Sequence, residues 1–237
     1  MPLELCILET DDIHPSLQAP FHSYGKMFSG LFDQQPIAAN CQVFSVLHGH
    51  YPDPEQTYDA YLITGSKADA FGSDAWIQTL KEFVQQRYAA GHKLLGICFG
   101  HQLLAHSLGG LTTRSEKGWG LGVQRYQLNQ QPSWMQPAVP ELKLQASHQD
   151  QVQQLPRDAE RVAYSAFCEN AAFSIGNQVL CFQGHPEFTE GYAQALLDMR
   201  RQTLGEPLYQ SASQSLKDEE HHGRLVGQWM LNFIQQA

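Results

Sequence analysis

The sequence predicts an α/β protein with a doubly wound, mostly parallel sheet, helices on both faces and an added antiparallel edge. Two observations support this prediction. Short apolar runs alternate with segments of helical periodicity through residues 3–110, and β-rich runs separated by turn residues dominate after Leu111. In such a sheet, functional sites lie at the carboxyl ends of the parallel strands.

The first half of the chain contains four predicted strands, at residues 3–8, 41–47, 60–64 and 93–98. Helices are predicted over residues 24–32, 74–90 and 99–108. In the second of these helices Ser73 or Asp74 is the expected cap, and Gly91 ends it. Its apolar stripe consists of Trp76, Leu80, Phe83, Val84 and Tyr88.

The second half predicts strands at residues 123–128, 142–146, 162–165, 172–175 and 179–183, with a hairpin turn at Gly176-Asn177. Residues 130–140, which contain three prolines, are expected to form a surface loop. Helices are predicted over residues 190–204 and 216–234, and the apolar stripe of the latter is expected to pack onto the domain or at a dimer contact. We expect residues 1–237 to form a single domain with a helical extension at about 205–237.

Composition excludes several classes of function. The chain has 237 residues, of which 42% are hydrophobic, and its formal net charge of −9 without a basic run argues against a nucleic-acid surface. No apolar run approaches the roughly 18 residues that a membrane span needs, and the N-terminus lacks a signal-peptide pattern. The five cysteines show no CxxC spacing, which is typical of reduced thiols in a cytoplasmic protein. His48 and His50 have no further ligand nearby, so neither a metal nor a cofactor is predicted.

A candidate nucleophile follows the fourth predicted strand. Gly96-Ile-Cys98-Phe-Gly100 has a cysteine between two glycines at a strand-to-helix junction. Small flanking residues permit the tight turn that exposes the central side chain, and the free N–H groups of a helix N-terminus favour an anion there. Cys98 could equally be a small buried hydrophobe, as free cysteines often are.

A candidate base follows the last predicted strand, in the segment Gln183-Gly-His185-Pro-Glu187. A thiol nucleophile needs a base, usually histidine, and that histidine needs a carboxylate to orient it. Pro186 restricts the backbone between the two side chains. Because both segments end strands of one sheet, His185 and Cys98 are expected at the same edge.

These two motifs together resemble the class I glutamine amidotransferase family, and the resemblance extends over roughly residues 3–200. It is greatest for the free-standing, GMP-synthase-like branch that includes plant γ-glutamyl peptidases. Further supporting segments are residues 64–71, 117–119 and 147–150. The resemblance implies a flavodoxin-like fold and a catalytic triad of Cys98, His185 and Glu187.

The resemblance also implies an oxyanion hole and a glutamyl site. The oxyanion donors would be the N–H of Phe99 and one from Gly65-Ser66, of which we favour Ser66, with Gly65 permitting the turn. Substrate-binding residues would be Gln102, Ser147 and His148, although His148 and Asp150 could equally have structural roles.

The implied reaction is cysteine-dependent hydrolysis of the γ-glutamyl amide bond of glutamine or a γ-glutamyl compound through a glutamyl thioester. Two alternatives stay open: a glutaminase subunit that delivers ammonia to a separate synthetase, and a non-catalytic binding protein on the same fold. An α/β-hydrolase fits less well, because its acid normally precedes the histidine in the chain. The expected partners are a small-molecule substrate, a possible synthetase and a possible second copy of the chain, with neither nucleic acid nor membrane.

Overall fold

The structure is a computed structural model of the chain and describes residues 1–236. Its strands are β1 (Leu3–Glu9), β2 (Ala39–Ser45), β3 (Ala60–Ile63), β4 (Lys93–Ile97), β5 (Leu111–Arg114), β6 (Gly120–Leu128), β7 (Glu141–His148), β8 (Asp150–Gln154), β9 (Glu160–Tyr164), β10 (Ala172–Ile175) and β11 (Val179–Phe182). Its α-helices are α1 (Pro15–Phe21), α2 (Tyr24–Asp33), α3 (Ala75–Ala89), α4 (Phe99–Ser107), α5 (Glu190–Leu204), α6 (Glu206–Asp218) and α7 (Gly223–Ile234).

Nine strands form one sheet in the order β2-β1-β3-β4-β11-β10-β9-β6-β7. The first five are parallel to one another, and the last four extend the sheet with antiparallel neighbours. The order of the parallel part is that of flavodoxin-like folds. The predicted fold class is therefore confirmed, including the antiparallel edge and the β10–β11 hairpin at Gly176.

Hydrophobic side chains cover both faces of the sheet. Leu5 and Ile7 of β1 belong to the core layer under α2 and α7, whereas their neighbours Cys6 and Leu8 belong to the layer under α3 and α4. This alternation follows from the two-residue period of a strand. Helices on both faces were predicted, and the two layers hold them there.

The predicted helix at residues 216–234 is wrong in its extent. Residues 206–218 form α6, the chain is extended at Glu219, and α7 begins at Gly223. Pro207 fits the first turn of α6, where no intrahelical N–H bond is lost. The apolar stripe of α7 packs onto the core of its own chain, with Val226 and Trp229 fully buried.

The predicted surface loop at residues 130–140 is partly a core segment. Trp134 and Met135 are 4% and 0% exposed, and Trp134 packs edge-on against Trp229 with ring centroids 6.3 Å apart. The Trp229 indole N–H also donates to the carbonyl of Pro137 at 3.0 Å.

Three short elements were not predicted: the strands β5 and β8, which pair with each other, and helix α1. No helix within residues 1–236 is long and apolar enough to cross a membrane.

Candidate active site

Cys98 occupies a strained turn between β4 and α4. Its φ of 52° and ψ of −102° lie in a region that L-residues rarely adopt. Both flanking glycines are required by contact: a Cβ on Gly96 would lie 2.6 Å from the carbonyl oxygen of Gly100, and one on Gly100 would collide with the carbonyl of Ile63. The turn therefore holds the cysteine at the carboxyl edge of the sheet, with 6% of its surface exposed.

His185 reaches the same place because β11 lies beside β4. The two strands run parallel with Phe182 opposite Ile97, and the Cys98 N–H donates to the Phe182 carbonyl at 2.9 Å. The His185 N–H donates to the carbonyl of Gln145 at 2.8 Å, which ties the segment to β7. The imidazole stacks on Phe188 with ring centroids 3.8 Å apart and an interplanar angle of 11°.

Glu187 holds the imidazole through its Nδ1 atom. Its Oε1 lies 2.7 Å from Nδ1 of His185, and both side chains are buried. Burial by itself lowers the pKa of His185, but the charges of Glu187 and Cys98 outweigh it and raise that pKa to about 10. The pair therefore favours an imidazolium with Nδ1–H directed at the carboxylate and Nε2 left for other chemistry.

Near Cys98, the backbone N–H groups of Phe99, Ser66 and Gly65 have no acceptor within residues 1–236. The hydroxyl of Thr10 donates to the Gly65 carbonyl at 2.9 Å. Because the C=O and N–H of a trans peptide point in opposite directions, this bond turns the Ser66 N–H away from Thr10. A side chain at Gly65 would not fit, since its Cβ would lie 2.9 Å from Cε1 of His185.

Two cavities meet at Cys98. The larger cavity has a volume of about 440 Å³ and extends between α1 and α5, with Cys98, His185 and Phe188 in its wall. The smaller cavity has a volume of about 120 Å³ and is bordered by Cys98, Gln102, Ser147 and His148. Ser66, Lys67 and Arg200 line both.

The predicted substrate-binding residues lie around the smaller cavity. Gln102 donates to the carbonyl of Asp150 at 2.8 Å and to the Gln183 side chain at 3.1 Å, so its amide is held rigidly. His148 Nδ1 lies 3.1 Å from the same Asp150 carbonyl, and burial lowers the pKa of His148 to about 4. At neutral pH this histidine is therefore uncharged, and its buried Nε2 has no partner within residues 1–236.

An arginine with two carboxylates completes the smaller cavity. Arg114 Nε contacts Asp150 at 2.7 Å and its Nη2 contacts Asp69 at 2.9 Å. Burial and the neighbouring Asp69 raise the pKa of Asp150 to about 6, although Arg114 opposes the shift. Each guanidinium nitrogen of Arg114 already donates to a protein oxygen, whereas the two carboxylates can accept an ammonium group such as that of an α-amino acid.

Sequence reasoning brought the predicted residues together but missed both cavity arginines. Arg114 lies on β5, which has no clear strand pattern, and it meets Asp150 only because β5 pairs with β8. Arg200 lies on α5, a predicted helix in which no single residue stood out. Its spacing of four residues from Leu196 and eight from Tyr192 places the three side chains on one helical face, and this spacing was the sequence feature that could have identified Arg200.

Within residues 1–236, no three histidine, cysteine or carboxylate side chains form a metal-binding group.

The chain is similar to known proteins in sequence and in fold. Residues 37–199 match the family model described as glutamine amidotransferase class-I. Gamma-glutamyl peptidase 3 of Arabidopsis thaliana is 33% identical over 178 residues, which are 72% of this chain and 71% of the plant protein. One of the subunits of a glutamine-hydrolysing GMP synthase from Methanospirillum hungatei is 31% identical over 103 residues, 43% of this chain and 54% of that protein. The crystal structure of a glutamine amidotransferase from Thermotoga maritima superposes with a TM-score of 0.78, at 18% identity and with 100% of both chains covered.

Proposed function

The chain belongs to the class I glutamine amidotransferase family, and from that membership we propose that it hydrolyses the γ-glutamyl amide bond of glutamine or a γ-glutamyl compound with Cys98 as nucleophile. The observation that carries the proposal is the buried His185–Glu187 pair beside a cysteine in a strained turn. A buried ion pair and a cysteine with φ of 52° both cost stability, and packing gives no reason to place them together. Such costly arrangements are typical of functional sites.

Attack on the substrate begins with the sulfur of Cys98. A protonated imidazole beside a cysteine favours a thiolate nucleophile, and the high pKa of His185 supports that protonation at neutral pH. The thiolate adds to the γ-carbonyl carbon, and the carbonyl oxygen becomes an oxyanion. The N–H groups of Phe99 and Ser66, which have no acceptor within residues 1–236, are the donors that we favour for it.

Collapse of the tetrahedral intermediate breaks the C–N bond and leaves a thioester. His185 gives its Nε2 proton to the departing nitrogen, which leaves as ammonia or an amine. The neutral imidazole then takes a proton from water as the water attacks the thioester. Glutamate and the Cys98 thiolate are released, and His185 is again protonated. Glu187 holds the ring throughout and remains ionised.

A second candidate function is that of a glutaminase subunit that delivers ammonia to a separate synthetase. The similarity to the GMP synthase protein of Methanospirillum hungatei supports it, since that protein's name describes one subunit of a larger enzyme. The larger cavity favours the stand-alone hydrolase, because an ammonia leaving group needs far less than about 440 Å³.

The test is glutamate release by the isolated protein from glutamine and from a panel of γ-glutamyl peptides and amines. Cys98→Ala is the blank. Brisk, Cys98-dependent release from a γ-glutamyl compound supports the hydrolase. Release only after a synthetase partner is added supports the second candidate function. Release that Cys98→Ala matches would contradict both.

A further inference from the structure

The two cavities lie on either side of the atom that would attack the substrate. The smaller one contains the predicted glutamyl-binding residues and has a volume of about 120 Å³, whereas the larger one has about 440 Å³. A small molecule the size of water or ammonia occupies only about 30 Å³. If the glutamyl group fills the smaller cavity, the scissile bond lies at Cys98 and the leaving amine extends into the larger cavity.

The larger cavity has an apolar wall suited to a hydrocarbon side chain. Leu196 and Met199 lie on the cavity face of α5, and Ile13 faces them from the segment before α1. Phe188 forms another part of the wall, and Met199 is 46% exposed. An aliphatic or aromatic group placed there would remove these surfaces from water.

Arg200 brings a positive charge without a counter-ion to the junction of the two cavities. Its Nη1 donates to the Ser147 hydroxyl, and its guanidinium lies 5.2 Å from the ring centroid of Trp119. No carboxylate within residues 1–236 forms an ion pair with it.

The two carboxylates in the wall of the larger cavity do have partners. Asp11 is held by Lys67 at 2.8 Å, and Asp12 lies 2.8 Å from His48. Arg200 is therefore the group in this region with donors and charge available for an anion, and a guanidinium suits a carboxylate in particular.

We propose that Arg200 binds the α-carboxylate of an amino acid leaving group, so that the preferred substrates are γ-glutamyl dipeptides with an apolar second residue. In such a dipeptide the carboxylate carbon is two bonds beyond the scissile nitrogen. It therefore stays close to Cys98, where Arg200 borders both cavities, while the side chain points into the apolar part. The inference rests on the proposed hydrolysis.

The experiment compares kcat/KM for γ-glutamyl-leucine, for its C-terminal amide and for glutamine. We expect the intact protein to prefer the free acid over the amide at least tenfold. Arg200→Met should reduce that ratio to about one, with a smaller loss of kcat/KM on glutamine than on the free acid. Arg201→Met is the matched control, because Arg201 pairs with Glu206 on the exposed side of α5 and should leave the ratio unchanged.

A second pair of variants guards against a folding defect. Met199 is exposed, so Met199→Glu and Met199→Lys should both fold. The negative charge of Met199→Glu should repel the substrate carboxylate and lower the acid-to-amide ratio, whereas Met199→Lys should not lower it. An unchanged ratio in Arg200→Met overturns the proposal, and so does an equal loss on glutamine, which would place Arg200 on the glutamyl group. In either case Cys98-dependent glutamate release would still support the proposed function. If no γ-glutamyl compound is hydrolysed, both proposals fall.

Discussion

The hydroxyl of Thr10, at the end of β1, donates a 2.9 Å hydrogen bond to the carbonyl of Gly65, at the end of β3. The same hydroxyl lies 3.0 Å from that of Thr64, and both threonines are fully buried. The bond fixes the Gly65–Ser66 peptide, so its free N–H faces away from the core. A buried side chain with no access to the substrate therefore orients a candidate oxyanion donor.

Replacing Thr10 tests this link between packing and chemistry. Thr10→Val keeps the shape of the side chain and removes the hydroxyl. Only the longer, 3.3 Å hydrogen bond from the Thr64 hydroxyl then holds the Gly65 carbonyl, so the Gly65–Ser66 peptide is less restrained. We expect kcat to fall by up to about a hundredfold, because the loss of one oxyanion donor costs about 10²–10³ in kcat. The free energy of unfolding should fall by about 1–3 kcal/mol, since buried polar groups lose a partner.

Steady-state kinetics and urea unfolding measure both effects. Thr79→Val, on the exposed side of α3, is the control, because its hydroxyl bonds only within its own helix. If Thr10→Val matched the wild type in kcat, the orienting role of the hydroxyl would be excluded.

Gly65→Ala tests the contact between the loop after β3 and the imidazole. The added methyl would lie 2.9 Å from Cε1 of His185, which is closer than van der Waals contact, so the imidazole or the loop must shift. We expect kcat/KM to drop at least about tenfold, since small misplacements of reacting groups are costly.

Gly30→Ala is the matched control for that substitution. Gly30 lies within α2 with nothing within 4 Å of the added methyl. It should retain full activity and gain roughly 0.5–1 kcal/mol of stability, because glycine is unfavourable inside a helix. Full activity in Gly65→Ala would show that the loop can move away freely.

Glu187→Gln tests the origin of the raised pKa of His185. Loss of the carboxylate should reduce kcat by about 10³-fold or more, because a neutral amide no longer stabilises the imidazolium. Without Glu187, burial should dominate and the pKa of His185 should fall well below about 10. Titration of the imidazole resonances by NMR, together with kcat/KM as a function of pH, measures both. An unchanged imidazole pKa would contradict the assignment.

The same substitution has a predictable effect on stability as a function of pH. Folding raises the pKa of His185 from about 6.5 to about 10, so it favours the protonated form. The resulting stabilisation is fully present below about pH 6.5 and is lost as the pH rises towards 10. The difference in free energy of unfolding between wild type and Glu187→Gln should therefore shrink across that interval. A difference that grew with pH would reverse the assigned sign.

Four of the five parallel strands, β1, β3, β4 and β11, could be predicted from the sequence because they are largely apolar runs, as strands buried on both faces must be. The loops that carry Cys98 and His185 follow two such runs, so the fold class alone was enough to bring them to one edge. Helix α1 was missed because it has only seven residues and contains Pro20, and the break between α6 and α7 was missed because residues 219–222 include neither glycine nor proline. The buried part of residues 130–140 was missed because prolines predict a loop and carry no information about what the loop packs against.

The arginines of the site show a further limit of sequence reasoning. Arg114 has a role near the cavity only through the β5–β8 pair, which brings it to Asp150. Arg200 and its neighbour Arg201 look alike in sequence, yet one borders both cavities and the other pairs with a surface glutamate. Only the packing of α5, which places the two arginines in different surroundings, distinguishes them.

The role of Cys98 as nucleophile is tested most directly by glutamate release from Cys98→Ser, measured beside Cys41→Ser on the best γ-glutamyl substrate. Cys41 lies on the edge strand β2, so it controls for the loss of a thiol elsewhere. We predict a loss of at least about a thousandfold in Cys98→Ser, as for other covalent nucleophiles, with an unchanged unfolding midpoint. Cys41→Ser should keep near wild-type turnover. Turnover in Cys98→Ser that remains close to that of Cys41→Ser would contradict it.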